Sequence, residues 1–266
     1  MMALKGSVRT LTLNLTTLHT LIRWRQAEPH PVLATAPTWY DEDTLRALDR
    51  HAHAELEAND RAWRGGPDDE LAETVAAILR PDREWYGWIS TTVEGRPFRY
   101  GLLAVAAYQE AALVIRNQDT DTVTLSTCRP AELPEVFLNH LPAVPPASDA
   151  PVSAPYQDFL ASTQPEGDGF TGFGTLAGGP EVGELNEILA RPRTGGGSLY
   201  TARRAGTLGT RRRCPHPVNY LDTVTGRWLT QLTTTAHGTL ATVQPAGRDL
   251  IAAHLADADR HLGQGE

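Results

Sequence analysis

Cys214 and His216 stand two residues apart in "RCPHP", the residue types of a thiolate nucleophile activated by an imidazole. The setting is two prolines in a loop, which fits a proline turn beside a loop cysteine as well as it fits a catalytic pair. Ser198 follows three glycines in "GGGSLY", but the nucleophile elbow needs G-x-S-x-G on a strand-to-helix turn. His51 and His53 are two apart on a predicted helix and point to different sides of it. His51 and Glu55 share a face at i, i+4, but a metal site needs a third ligand and none stands nearby. Asp119 and Asp121 suit a hairpin turn, since a calcium loop would continue through a glycine and a terminal glutamate. "GFGTLAGG" spaces its glycines at 172, 174, 178 and 179, away from the dinucleotide fingerprint and outside a strand-turn-helix unit. These residues lead to the expectation of no catalytic residue, no cofactor and no metal ligand set. An enzyme working through Cys214 and His216, or through Ser198, stays as the alternative.

Binding chemistry has better material. In "STTVEGRPFRYG" the apolar Val93 and Phe98 flank a Glu94-Gly95 turn and the charged Glu94 and Arg96, the mixture of a polar-rimmed apolar contact. Thr92, Val93, Glu94, Gly95, Arg96 and Phe98 are therefore candidate partner-binding residues. Tyr220 and Trp228, on predicted strands and open to a core as well as a surface place, and Phe170 and Phe173, in a glycine-rich loop with few apolar neighbours, join them. The basic runs Arg203-Arg204 and Arg211-Arg212-Arg213 are the only cationic clusters in a chain of net charge −8. With no aromatic interleaving in the local sequence, they predict no nucleic-acid binding. Two cysteines among 266 residues fit a reducing compartment, so a cytoplasmic location is expected. No window approaches the ~20 apolar residues of a membrane span, and "LTLNLTTLHTLI", broken by Asn14 and His19, reads as a strand running into a helix.

The elements that must position these residues repeat. "GGPDDELAETVAAILRP" and "GGPEVGELNEILARP" each carry a proline and acids for a helix start and an Arg-Pro stop, with Pro67 and Pro180 placed in the first turn. Leu71, Val75, Ile78 and Leu79 form one apolar stripe, and Val182, Leu185, Ile188 and Leu189 its counterpart. Strand-like runs follow each: "EWYGWISTTV", "PFRYGLLAVAAYQ", "AALVIRN" and "DTVTLST", then "GSLYTARR", "HPVNYLDTV", "RWLTQLTTT" and "GTLATVQ". Both copies close with a helix opened by Pro-Ala. The expected fold is α+β, a central antiparallel β-sheet with helical bundles, in two pseudo-twofold related halves formed by an internal repeat. The halves are residues 1–142 and 143–266 of a single integrated domain. Outside the repeat lie a long helix at roughly 41–62, a turn at Trp63 to Gly65 with a core tryptophan, a proline-rich crossover "PAVPPASDAPVSAP", the short helix "YQDFLAS" and the loop "EGDGFTGFGTLAGG".

This order of elements, with "LRPDREWYGW" and "YLDTVTGRWLT" as its most specific segments, resembles the EspG family of type VII (ESX) secretion in actinobacteria, from about Leu11 to Leu262. The resemblance implies a non-enzymatic cytosolic chaperone with a pseudo-twofold α+β architecture. Its partner would be a helical secretion substrate, a PPE-like or PE–PPE-like protein, kept soluble for export. The family holds its partner through a loop after the first long strand, carried over here to Thr91 to Phe98, together with the sheet surface and C-terminal helical bundle. The chain departs from the pattern at "EANDRAW", where the family places a Gly-Leu pair, and in its glycine-rich loop. A homodimer, with the sheet pairing to a second copy as a structural module, stays open alongside. Neither nucleic acid nor membrane insertion is expected.

Overall fold

The computed structural model describes residues 10–163, 179–205 and 209–264. Over them the chain is α+β, built on antiparallel strand pairs, as expected. It divides into two compact units. The first holds the residues up to 141 together with 199–217 and those from 255 onward, and the second holds 142–198 and 218–254.

In the first unit, strand β1 (Thr10–Asn14) runs directly into helix α1 (Leu15–Trp24). Asn14 marks the corner: its backbone amide and its side-chain amide both donate to Glu55 Oε1, at 2.9 and 2.8 Å. Glu55 lies on α2 (Glu42–Ala58), which starts where Asp41 accepts the Thr44 amide at 2.7 Å. Two short strands, β2 (Ala62–Trp63) and β3 (Gly66–Pro67), then form a tight ribbon. Arg64 and Gly65 turn it with φ of 49° and 80°, so Trp63 is thrown outward. The expectation of a core tryptophan there is corrected: Trp63 is 61% exposed, with the Arg64 guanidinium over its ring. Helix α3 (Asp69–Leu79) is capped by Asp68, whose carboxylate accepts the Leu71 amide at 2.8 Å. Pro67 therefore precedes the helix instead of occupying its first turn.

A meander follows: β4 (Arg83–Val93), β5 (Arg96–Ala107), β6 (Glu110–Asn117) and β7 (Thr122–Cys128), then one 3-10 turn at Pro130–Glu132 and helix α4 (Leu133–Asn139). The strand order is β1-β7-β6-β5-β4 and then β9 (Arg193–Arg204), whose residues from 199 onward belong here, with β10 (Arg211–Arg213) beside it. Alternation along β4 sets the two faces. Tyr86, Leu103, Val105, Val114 and Val123 join Leu18, Leu21, Ile22, Leu71, Val75 and Ile78 of α1 and α3 in one core. Trp85 faces the other way and meets Phe137 of α4 edge-on, with ring centroids 5.9 Å apart. Each such burial is worth about 1.5–3 kcal/mol, which is why the apolar stripes in the sequence specify which faces pack.

The second unit packs α5 (Tyr156–Thr163) and α6 (Pro180–Ala190) with β11 (Val218–Thr223), β12 (Gly226–Thr235), β13 (Gly238–Pro245) and an edge strand β8 (Val152–Pro155). Strand β8 lies inside the proline-rich crossover, where sequence predicts no strand. It pairs on one side only, with β13, and an edge is where proline is tolerated. Pro180 does occupy the first turn of α6, after Gly179. The glycine run preceding Ser198 lies within β9: a Cβ on Gly196 would stand 2.9 Å from the Tyr220 carbonyl, and one on Gly197 2.6 Å from the Tyr220 ring. Val182, Leu185 and Ile188 pack on Trp228, Ala241 and Val243. Helix α7 (Arg248–Gln264) closes the chain, with its first residues in this unit and those from 255 in the other.

Candidate functional site

The segment Thr91 to Phe98 is the end of a β-hairpin. Pairing runs from Arg83↔Ala106 to Thr91↔Phe98, Thr92↔Pro97 and Val93↔Arg96, leaving Glu94 and Gly95 as a two-residue turn with φ of 51° and 77°. Two positive φ values make a type I′ turn, whose twist matches that of the strands. The expected loop from Thr91 to Phe98 is thus a fully paired ribbon. Period-two alternation puts Thr91, Val93, Arg96 and Phe98 on the α4 side and Thr92 and Pro97 on the other. Val93 is 52% exposed. Phe98 is half-buried and stacks on Tyr100 at 5.4 Å, and Tyr100 in turn donates its hydroxyl to the His140 carbonyl after α4. An apolar strip therefore leads from the α4 core to the hairpin tip, rimmed by Glu94 and Arg96.

Tyr220 and Trp228, candidates for the same surface from sequence, are buried in the second unit at 4% and 0% exposure. The Arg227 guanidinium sits 4.3 Å over Tyr220, and Arg191 lies over Trp228. They are corrected to packing residues. Phe170 and Phe173 lie outside the described residues.

Cys214 and Ser198 each hold a contact with the strands around them. Cys214 is buried, its Sγ accepting the Thr201 amide at 3.3 Å, while His216 is exposed. Burial first, and Glu132 second, push the Cys128 thiol up to about 11, where it is protonated at neutral pH. Ser198 donates to Asn219 Oδ1 at 2.7 Å from mid-strand. His53 stacks on Trp24, and Glu55 anchors Asn14. Among the described residues no three His, Cys, Asp or Glu side chains group as metal ligands, and no helix is long and apolar enough to cross a membrane.

Sequence reading misses what β9 and β10 do with the arginine runs. Pairing sets Arg211 opposite Arg204, Arg212 opposite Arg203 and Arg213 opposite Ala202. Arg203 is taken up by Asp259, donating Nε and Nη2 at 2.8 and 2.9 Å. Arg211 donates Nε to Glu84 Oε1 at 2.5 Å and Nη2 to Oε2 at 3.0 Å. His30 completes the cluster: its Nδ1 accepts the Val32 amide, so its Nε2 carries the proton donated to Glu84 Oε2 at 2.8 Å. Burial opposes ionisation of Glu84, but the bonds from His30 and Arg211 outweigh it and hold the carboxyl below its usual range. Aromatic rings interleave after all. Tyr200 stacks on Tyr86 at 5.3 Å, Trp88 meets Tyr200 edge-on at 5.9 Å, and Arg213 lies over Tyr200 at 5.0 Å. The missing signal is the register between strands far apart in sequence.

The hairpin tip exposes Val93 beside a half-buried Phe98, and the other face of β4 exposes Trp88. The chain belongs to the EspG family, whose model matches residues 15–257. Its fold is similar to that of the Mycobacterium tuberculosis type VII secretion system chaperone EspG5, solved in complex with a PE25-PPE41 dimer. The TM-score is 0.65 at 14% identity, covering 93% of this chain and 95% of that one. No curated protein matches the chain.

Proposed function

We propose that this protein is a cytosolic, non-enzymatic chaperone of a type VII secretion system, which binds a PE–PPE-like helical substrate and keeps it soluble for export. Family membership and the fold shared with a chaperone solved on a PE–PPE dimer support the reading. The observation that carries it is the β4–β5 hairpin. It ends in an exposed tip whose α4-side face presents Val93 and Phe98 between Arg96 and Glu94, over the segment Thr91 to Phe98 that the family resemblance assigns to the partner. A helical substrate offers an apolar stripe, and a narrow apolar strip with a charged rim is complementary to it. The test is co-expression with a PE–PPE pair, followed by affinity purification. Wild-type protein retains the pair in the soluble fraction, and Val93→Asp releases it at unchanged melting temperature. Retention by Val93→Asp at wild-type yield removes the hairpin as the grip.

A further inference from the structure

A second feature of the first unit has the chemistry of a contact site. On β4, Trp88, Ser90 and Thr92 share one face and all are exposed among the described residues, Trp88 by 36%, in a row that runs from the hairpin tip toward β9. At its inner end Trp88 abuts Tyr200, and Arg213 lies over the same ring. A guanidinium held over a ring is fixed in place, and Arg213, which also interacts with the Tyr86 hydroxyl, has further N–H donors to offer a carboxylate. The acids nearby are already engaged: Glu84 is buried between His30 and Arg211, and Asp259 holds Arg203 and Arg83. Among the described residues no carboxylate forms an ion pair with Arg213. In a chain of net charge −8 this is a local reversal of sign, matched to an anion that the rest of the surface repels.

We propose that Trp88, Tyr200 and Arg213 form a docking site for an acidic segment of the protein partner, with an apolar residue of that segment on Trp88 and its neighbouring carboxylate on Arg213. The proposal rests on the chaperone reading and adds a charge requirement to the partner. Trp, Tyr and Arg are the residue types that dominate interface energetics, and here all three converge at the rim of a packed core.

Fluorescence anisotropy with a labelled amphipathic peptide, LEELLEELLEEL, and its lysine twin, LKKLLKKLLKKL, tests this directly. The acidic peptide is expected to bind saturably and the lysine twin not at all. Arg213→Glu and Trp88→Ala are each expected to weaken the acidic peptide by about tenfold or more while keeping the wild-type melting temperature. Because Arg213 is exposed, its variant folds even if Trp88→Ala does not. No saturable binding, equal binding by Arg213→Glu, or equal binding of the lysine twin overturns the proposal. So does a single-stranded oligonucleotide that binds more tightly than the acidic peptide and is lost in the same variants. If the peptide fails to bind while Val93→Asp still releases the full-length PE–PPE pair, the acidic site falls and the chaperone reading stands. If neither assay shows binding, the chaperone reading falls as well.

Discussion

Asp222 and Arg227 stand five residues apart in "YLDTVTGRWLT", both almost fully buried, at 1% and 2% exposure. Arg227 donates Nε and Nη2 to the two carboxylate oxygens at 2.6 and 2.8 Å, and Nη2 also to the Pro142 carbonyl at 2.9 Å. The pair closes inside the β11–β12 hairpin. Arg227→Met is expected to cost about 3–5 kcal/mol in urea unfolding, since it strands a buried carboxylate, whereas Asp222→Leu with Arg227→Met recovers much of that loss. Equal destabilisation of single and double variants would show that packing, not the stranded charge, sets the cost. Glu84 plays the same part in "LRPDREWYGW". Its carboxyl is held below the ordinary 4.5, so the ion form stabilises the fold. That stability is present above the unfolded value and is lost as pH falls through the lower folded one. Melting temperature is therefore expected to drop on acidification below pH 4.5 in the wild type, and to drop less steeply in Glu84→Gln, which starts from a lower plateau. Parallel acid limbs would contradict this.

At the scale of elements, the β4–β5 hairpin carries both the candidate grip and the lesson of what sequence shows. Alternation and the Glu-Gly dipeptide suffice to place its strands, because period-two patterning and turn chemistry are local. How far the ribbon stays paired is set by cross-strand partners, and these are not written in either strand alone. Glu94 adopts a φ of 51°, a conformation that asparagine tolerates better than glutamate. Glu94→Asn should therefore raise stability by about 0.5–1 kcal/mol, read by thermal melting, and a decrease would mean that the glutamate side chain holds the turn. Phe98→Ala is expected to weaken substrate binding by ~1–3 kcal/mol in titration calorimetry. Strands β8 and β10 and the outward Trp63 escaped the sequence for one reason: proline-rich, arginine-rich and two-residue strands lack an apolar alternation, and only their neighbours make them strands. Tyr220 and Trp228 illustrate the converse, since aromatic residues on a strand look alike whether they face a partner or a core.

Segment 65–142 runs through a helix, strands β4 to β7 paired in chain order and a closing helix; over its described residues, segment 178–262 runs through a helix, strands β9, β11, β12 and β13 paired in that order with β10 set beside β9, and a closing helix. We propose on this ground that the segments arose as a duplication. An experimental structure in which they superpose helix on helix and strand on strand supports it, and different strand orders on superposition contradict it. The central claim is that this protein holds a PE–PPE-like substrate in solution through the β4–β5 hairpin. Size-exclusion chromatography with light scattering, on the chain co-expressed with a PE–PPE pair, measures that most directly. The account predicts a single soluble complex containing all three chains, which dissolves into free chaperone and precipitated substrate when Val93→Asp is introduced. A folded wild-type chain eluting alone, with the PE–PPE pair soluble without it, would contradict the account.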